Sequence, residues 1–310
     1  MILDLGKTLI LTHPARLGDT VMSLPLTRAC SDVTETWSTA GAPFRFLFER
    51  AGLEVGAAEA LNPKRLGALI DEARRLRSAG FQTVFLVRPS FRSALLCWLA
   101  RIPNRIGDAT EGRGFLLSRL VNLPRERSEL DRLEGFGASA GLKVERRFGL
   151  VPEGHPRRRS VFGIVPGGSY GQKFIAPDVL QQVIGQLLER GYTIELHGGP
   201  GEEVFGQALL REGVEDHIGR YKLPEMVDRL ASLGGMLSAD GGLYHLSVAC
   251  GTRTVGAYGP TSFRNWWHDW GGNVVVHAPA GDMRNLTPEM VWEAVERIIK
   301  PSTNTGTTIP

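Results

Sequence analysis

The chain has 310 residues, of which 42% are hydrophobic and 22% charged, and its net charge is +3. That length holds two domains of ordinary size, and the composition is that of a soluble globular protein. Small net charge with interspersed signs argues against a nucleic-acid-binding protein, although a local basic pocket stays compatible with it.

Cys30, Cys97 and Cys250 lie far apart in apolar surroundings and read as buried thiols, without metal or redox spacing. Residues 1–7 lack the basic start of a signal peptide, and the longest apolar run, 94–100, is far below the roughly 20 residues that span a bilayer. The expectation is a cytoplasmic protein, with at most peripheral contact with the inner membrane.

In chain order, residues 7–12 (KTLILT) read as a strand, followed by a loop through Arg16-Leu-Gly-Asp19 and a helix from Thr20 to Cys30. A short strand is expected at 35–38 and a helix at 43–51. Leu66, Leu69, Ile70, Ala73 and Leu76 share one face of an amphipathic helix over 64–78. A strand at 83–87, a helix at 91–101, a strand entry at 102–106 and a helix at 130–140 complete this half. Residues 151–160 (VPEGHPRRRS) read as a linker whose three arginines form a solvated hinge.

The alternation then restarts, with strands at 161–165, 193–197, near 217–218, up to Ala239, at 254–260 and at 273–277. Helices are expected at 177–191, 204–211, 223–231, after Asp240, and last from Thr287 as N-cap with Pro288 behind it. Short apolar strands alternating with helices predict α/β halves with parallel sheets covered on both faces. The expected division is 1–155 and 156–300, with a disordered tail at 301–310.

Three loops of the second half follow strands, where open parallel sheets bind ligands. The first offers Gly167, Gly168, Ser169 and Lys173: backbone donors, a hydroxyl and a cation suited to a diphosphate. The second, H-G-G-P-G-E-E, offers close backbone approach and carboxylates suited to ribose hydroxyls. The third is Asp240-Gly241-Gly242 with His245, opening a helix whose free N–H groups and dipole suit an anion. Asp240 reads equally as a helix cap, Lys173 as a solvated loop lysine and His245 as a packing histidine. None of these loops matches a phosphate-loop ATPase, and the first strand lacks the dinucleotide fingerprint G-x-G-x-x-G. In the first half Asp19 is the notable acid, either a general base or the cap of its helix. Arg88, Arg92 and Arg105, near post-strand loops, suit an anionic acceptor or a solvated surface.

R-L-G-D-T-V-M-S-L-P at 16–25, I-P-N-R-I-G, P-G-G-S-Y-G-Q-K, L-H-G-G-P-G-E-E and A-D-G-G-L-Y-H…Y-G-P-T-S occur in this order. Together they resemble glycosyltransferase family 9, the heptosyltransferases of lipopolysaccharide core assembly. The resemblance implies a GT-B fold, two Rossmann-like domains facing across a cleft, the first binding the acceptor and the second the nucleotide-sugar. It implies metal-independent, inverting transfer of a sugar, typically heptose from ADP-heptose, to a hydroxyl of a saccharide or glycolipid acceptor, without a cofactor. It puts Asp19 in the place of the general base, Lys173 and Ser169 beside the donor phosphate, and Glu202 on the ribose. Asp240, Gly241, Gly242 and His245 match the motif that holds the diphosphate. Two departures bear on the donor sugar: Phe174 stands where the family often continues toward a tryptophan, and Asp-Gly-Gly replaces Asp-Ser/Thr-Gly. The alternatives are a non-catalytic nucleotide-sugar binder and a GT-B sugar-nucleotide epimerase.

Overall fold

A computed structural model describes residues 3–58, 66–123, 128–167, 171–261 and 272–300. Gly168 and Ser169, and the tail at 301–310, lie outside the described residues. The chain divides into two compact units, Met1–Leu150 and Val151–Pro310.

The first unit contains β1 (Thr8–Ile10), α1 (Leu17–Ser31), β2 (Thr36–Ser38), α2 (Phe46–Arg50), β3 (Val55–Ala57), α3 (Leu66–Ser78), β4 (Thr83–Phe85), α4 (Phe91–Leu99), β5 (Asn104–Gly107), β6 (Arg119–Leu120) and α5 (Glu129–Ser139). Its sheet runs β3-β2-β1-β4-β5-β6 and every pairing is parallel. Alternation along the strands divides the core in two. Leu9 and Val84 pack with Leu69, Leu96 and Cys97 on one face, and Ile10, Phe85 and Ile106 with Leu26, Leu133 and Phe136 on the other. The edge strands β3 and β6 were not expected from the sequence, because two or three residues carry no measurable period.

The second unit contains β7 (Arg158–Val165), α6 (Pro177–Glu189), β8 (Thr193–Leu196), α7 (Glu203–Gln207), β9 (Val214–Asp216), α8 (Leu223–Ser232), β10 (Leu233–Ala239), α9 (Gly242–Ala249), β11 (Thr254–Tyr258), β12 (Val274–His277) and α10 (Pro288–Ile299). Its sheet order, β12-β11-β10-β7-β8-β9, repeats the connectivity of the first. Thr287 caps α10 as expected, its side chain accepting from the Met290 N–H at 3.3 Å.

Both sheets therefore reverse direction once, between β1 and β4 and between β7 and β10. In open parallel sheets ligands bind beyond the strand carboxyl ends at such reversals.

The arginine run does not form a solvated hinge. Arg157 donates to the carbonyls of Ala231, Leu233, Cys250 and Gly251, and Arg158 pairs with Glu195 at 2.5 Å. The last carbonyls of α8 and α9 have no partner inside their helices, and a guanidinium with five donors meets several of them at once. All three cysteines are buried and free. No described helix is long and apolar enough to cross a membrane.

Candidate active site

The reversal in the second unit brings together the loops after β7 and β10. Lys173, closing the short turn Gly171–Lys173, places Nζ 2.6 Å from Oδ2 of Asp240. The two side chains are 19% and 7% exposed, so this is a mostly desolvated pair, and Lys173 is not a solvated loop lysine. Nor does Asp240 cap α9: the N-cap is Gly241, with no side-chain cap bond. The N–H groups of the first turn of α9 have no acceptor within the helix and, with the helix dipole, present positive potential beside the ammonium. His245, one turn in, is buried, and burial together with Lys173 pushes its pKa down to about 3. It is therefore neutral at physiological pH, so the positive charge here comes from Lys173 and the helix end.

Gly167 has a specific reason to be glycine: an added Cβ would stand 1.8 Å from the Phe174 ring. That ring stacks on Phe205 with centroids 3.7 Å apart, joining the loop after β7 to α7. Glu202 folds back over Gly198 so that its carboxylate accepts from the Gly199 N–H at 3.0 Å; a Cβ on Gly198 would lie 2.6 Å from that same oxygen. Burial, reinforced by Glu203 and opposed by the Gly199 bond, raises the Glu202 pKa. Tyr258, at the end of β11, is buried against Tyr244, and Gly256 leaves room for both rings. Sequence reading missed Phe205, Tyr244 and Tyr258, whose pairings join separate elements and leave no local period.

The reversal in the first unit places the loop after β1 beside the chain leaving β4. Helix α1 begins at Leu17, three residues before the expected start, so Asp19 sits inside the first turn and makes no cap bond. Burial pushes its pKa up to about 6, against the opposing pull of the Arg16, Arg132 and Arg88 charges; Glu129 adds to the rise. A carboxyl poised there is mostly ionised at neutral pH and still accepts a proton readily, as a general base requires. His13 lies in the same electrostatic neighbourhood; burial, then Arg16 and Arg88, lower its pKa.

Behind this loop lies a buried charge network that the sequence did not announce. Asp108 accepts from Arg113 at 2.9 Å and from Arg132 at 3.0 Å, and Arg132 also pairs with Glu129. The same guanidiniums hold the backbone leaving β4: Arg113 donates to the Leu86 and Arg88 carbonyls and Arg132 to Val87. This bracing sets where Arg88 starts, next to Asp19. Arg92 is exposed in the first turn of α4. Arg105 is committed to the carbonyls of Leu116, Ile102 and Pro103 and so braces its own turn.

The family model for glycosyltransferase family 9 (heptosyltransferase) matches residues 70–281. The chain belongs to this family. Lipooligosaccharide heptosyltransferase 2 of Haemophilus influenzae is 25% identical over 208 residues, covering 56% of this chain and 59% of that protein. Lipopolysaccharide heptosyltransferase 2 of Escherichia coli is 23% identical over 236 residues, covering 67% and 66%. The matches thus span about 60% of these curated relatives' length. Among solved structures, E. coli ADP-heptose lps heptosyltransferase II superposes with a TM-score of 0.69 at 22% identity, covering 94% of this chain and 98% of that one. E. coli heptosyltransferase WaaC with ADP gives 0.72 at 17% identity, covering 94% and 99%. The two successive α/β units of this family 9 member thus have the GT-B fold of these heptosyltransferases.

Proposed function

We propose that this protein is an inverting, metal-independent glycosyltransferase that moves a heptose from ADP-heptose to a hydroxyl of a saccharide-bearing acceptor. The observation that carries the donor half is the Lys173–Asp240 pair at the end of α9, where the second sheet reverses. A departing diphosphate gains negative charge in the transition state, and a held ammonium plus fixed N–H groups stabilise that charge without a metal. Asp240 keeps Lys173 in place before the donor arrives. Glu202, already anchored by Gly199, offers its carboxylate to ribose hydroxyls. The choice of ADP-heptose rests on the relatives, among them a heptosyltransferase solved with ADP-2-deoxy-2-fluoro heptose.

On the acceptor side, the Asp19 carboxylate takes the hydroxyl proton as the acceptor oxygen attacks the anomeric carbon. The bond from that carbon to the diphosphate breaks in the same displacement, which inverts the configuration. Arg88, beside Asp19, attracts an anionic acceptor, as does Arg92, while Arg105 holds its turn. The proposed place of work is the cytoplasmic side of the inner membrane.

Thermal shift and calorimetry against ADP-, GDP-, UDP- and dTDP-sugars test the donor assignment. A ligand at 100 times its Kd stabilises the folded state by about 2.7 kcal/mol, so ADP and ADP-heptose are expected to raise Tm by several degrees. No shift with either would reject the adenine donor. ADP-heptose recovered unchanged in the absence of acceptor separates transfer from epimerisation.

The pH dependence tests the base. An ionised Asp19 is the active form, so kcat/KM should climb through an acid limb near pH 6 and level off above about pH 7. An activity that stays flat down to pH 5 would remove Asp19 from that role.

A further inference from the structure

The first unit carries an apolar, basic surface that the proposed sugar transfer does not use. Phe91 and Trp98 lie on one face of α4, seven residues apart, and are 38% and 49% exposed. The Phe91 ring packs 6.0 Å from that of Phe115, which is 76% exposed on the turn Thr110–Leu116. Leu120 extends the patch: it is 44% exposed, and its side chain reaches within 3.9 Å of a Cβ built on Gly114. Large aromatic side chains held in water on a folded unit mark an interaction surface.

The charge around them selects the partner. Residues 88–120 contain six arginines and no lysine against Asp108 and Glu111, a net +4 that exceeds the +3 of the whole chain. Asp108 is buried and neutralised internally by Arg113 and Arg132, whereas Arg92, Arg101 and Arg119 are exposed around the aromatic patch. Aromatic rings seat at the headgroup–acyl boundary, and a basic rim is drawn to anionic headgroups.

We infer that the face formed by α4 and the turn Thr110–Leu116 docks the protein on an anionic lipid bilayer. The patch begins three residues after Arg88, on the strand-end side of the sheet that also carries Asp19. A saccharide anchored in that bilayer by an apolar tail would then be presented at the catalytic edge; this purpose, though not the docking, rests on the proposed function.

Sedimentation of the full chain with vesicles tests the docking in the absence of donor and acceptor. The protein is expected to pellet with mixed phosphatidylethanolamine–phosphatidylglycerol vesicles, to do so far less with phosphatidylcholine, and to release as salt rises. The Phe115→Asp/Trp98→Asp variant should bind at least about tenfold more weakly, from the lost apolar contact. Arg101→Gln/Arg119→Gln should weaken it several-fold, and ADP-sugar affinity should not change in either variant. Wild-type protein that stays in the supernatant, or equal pelleting of wild type and the aromatic variant, overturns the docking. So does concentration-dependent dimerisation that Phe115→Asp abolishes, which would make the face a contact between copies. Vesicle binding without sugar transfer would reject the proposed function and keep the surface; transfer to a soluble acceptor without vesicle binding would do the reverse.

Discussion

Asp19→Asn is expected to lower kcat by about 10³–10⁴-fold while leaving ADP-sugar affinity within about twofold. The substitution replaces one carboxylate oxygen with an amide of the same shape, so the first turn of α1 keeps its geometry and only the proton acceptor is lost. The donor loops belong to the other unit and should be untouched. The same variant has a stability signature of opposite sign. Burial raises the Asp19 pKa from 3.8 to about 6, which means that folding disfavours its charged form. That cost is absent below about pH 4, develops between pH 4 and 6, and is complete above. At neutral pH, asparagine should therefore stabilise the protein by about 1–3 kcal/mol, with no gain at pH 4, as thermal melts would read. An Asn variant that turns over within tenfold of wild type would show that another group takes the acceptor proton. One that is inactive but less stable at pH 7 would point to a structural role for Asp19.

Lys173→Ala is expected to reduce kcat by about 10²–10³-fold and to weaken donor binding, because it removes the cation from the leaving diphosphate. It should also destabilise the fold by about 3 kcal/mol, since Asp240 is 7% exposed and would keep a buried charge without its partner. The two effects separate in the double variant Lys173→Ala/Asp240→Asn. Neutralising Asp240 removes the stranded charge, so Tm should recover while turnover stays low. Recovery of both would mean that Lys173 serves the fold alone. Failure to recover Tm would mean that the destabilisation arises from packing around the turn Gly171–Lys173.

The local signals in this sequence concern periods and ends. Apolar residues at helical spacing marked the helix that spans Leu66–Ser78, Thr287-Pro288 marked the start of α10, and runs such as 161–165 marked buried strands. These are legible because the physics that makes them acts within a few residues. Boundaries were less legible. Helix α1 starts at Leu17 rather than Thr20, which moves Asp19 from the helix edge into the first turn and ends its reading as a cap. The glycine-bearing motifs, from R-L-G-D to D-G-G-L-Y-H, pointed to the family and to the stretches that carry its chemistry.

What the chain alone did not announce are the contacts that make those stretches work. Lys173 and Asp240 are 67 residues apart and meet because the strand order sets β7 beside β10. Asp108, Arg113 and Arg132 read as ordinary loop and helix charges until the fold buries them against the carbonyls leaving β4, where Arg88 begins. Arg157 and Arg158 read as a solvated run until the ends of α8 and α9 and the carboxylate of Glu195 arrive beside them. Hydrophobic period sets which face of an element is buried, so fold class and motif positions were determined by the sequence itself. Which loop faces which depends on strand order, and that is decided only when the whole sheet closes around its two cores.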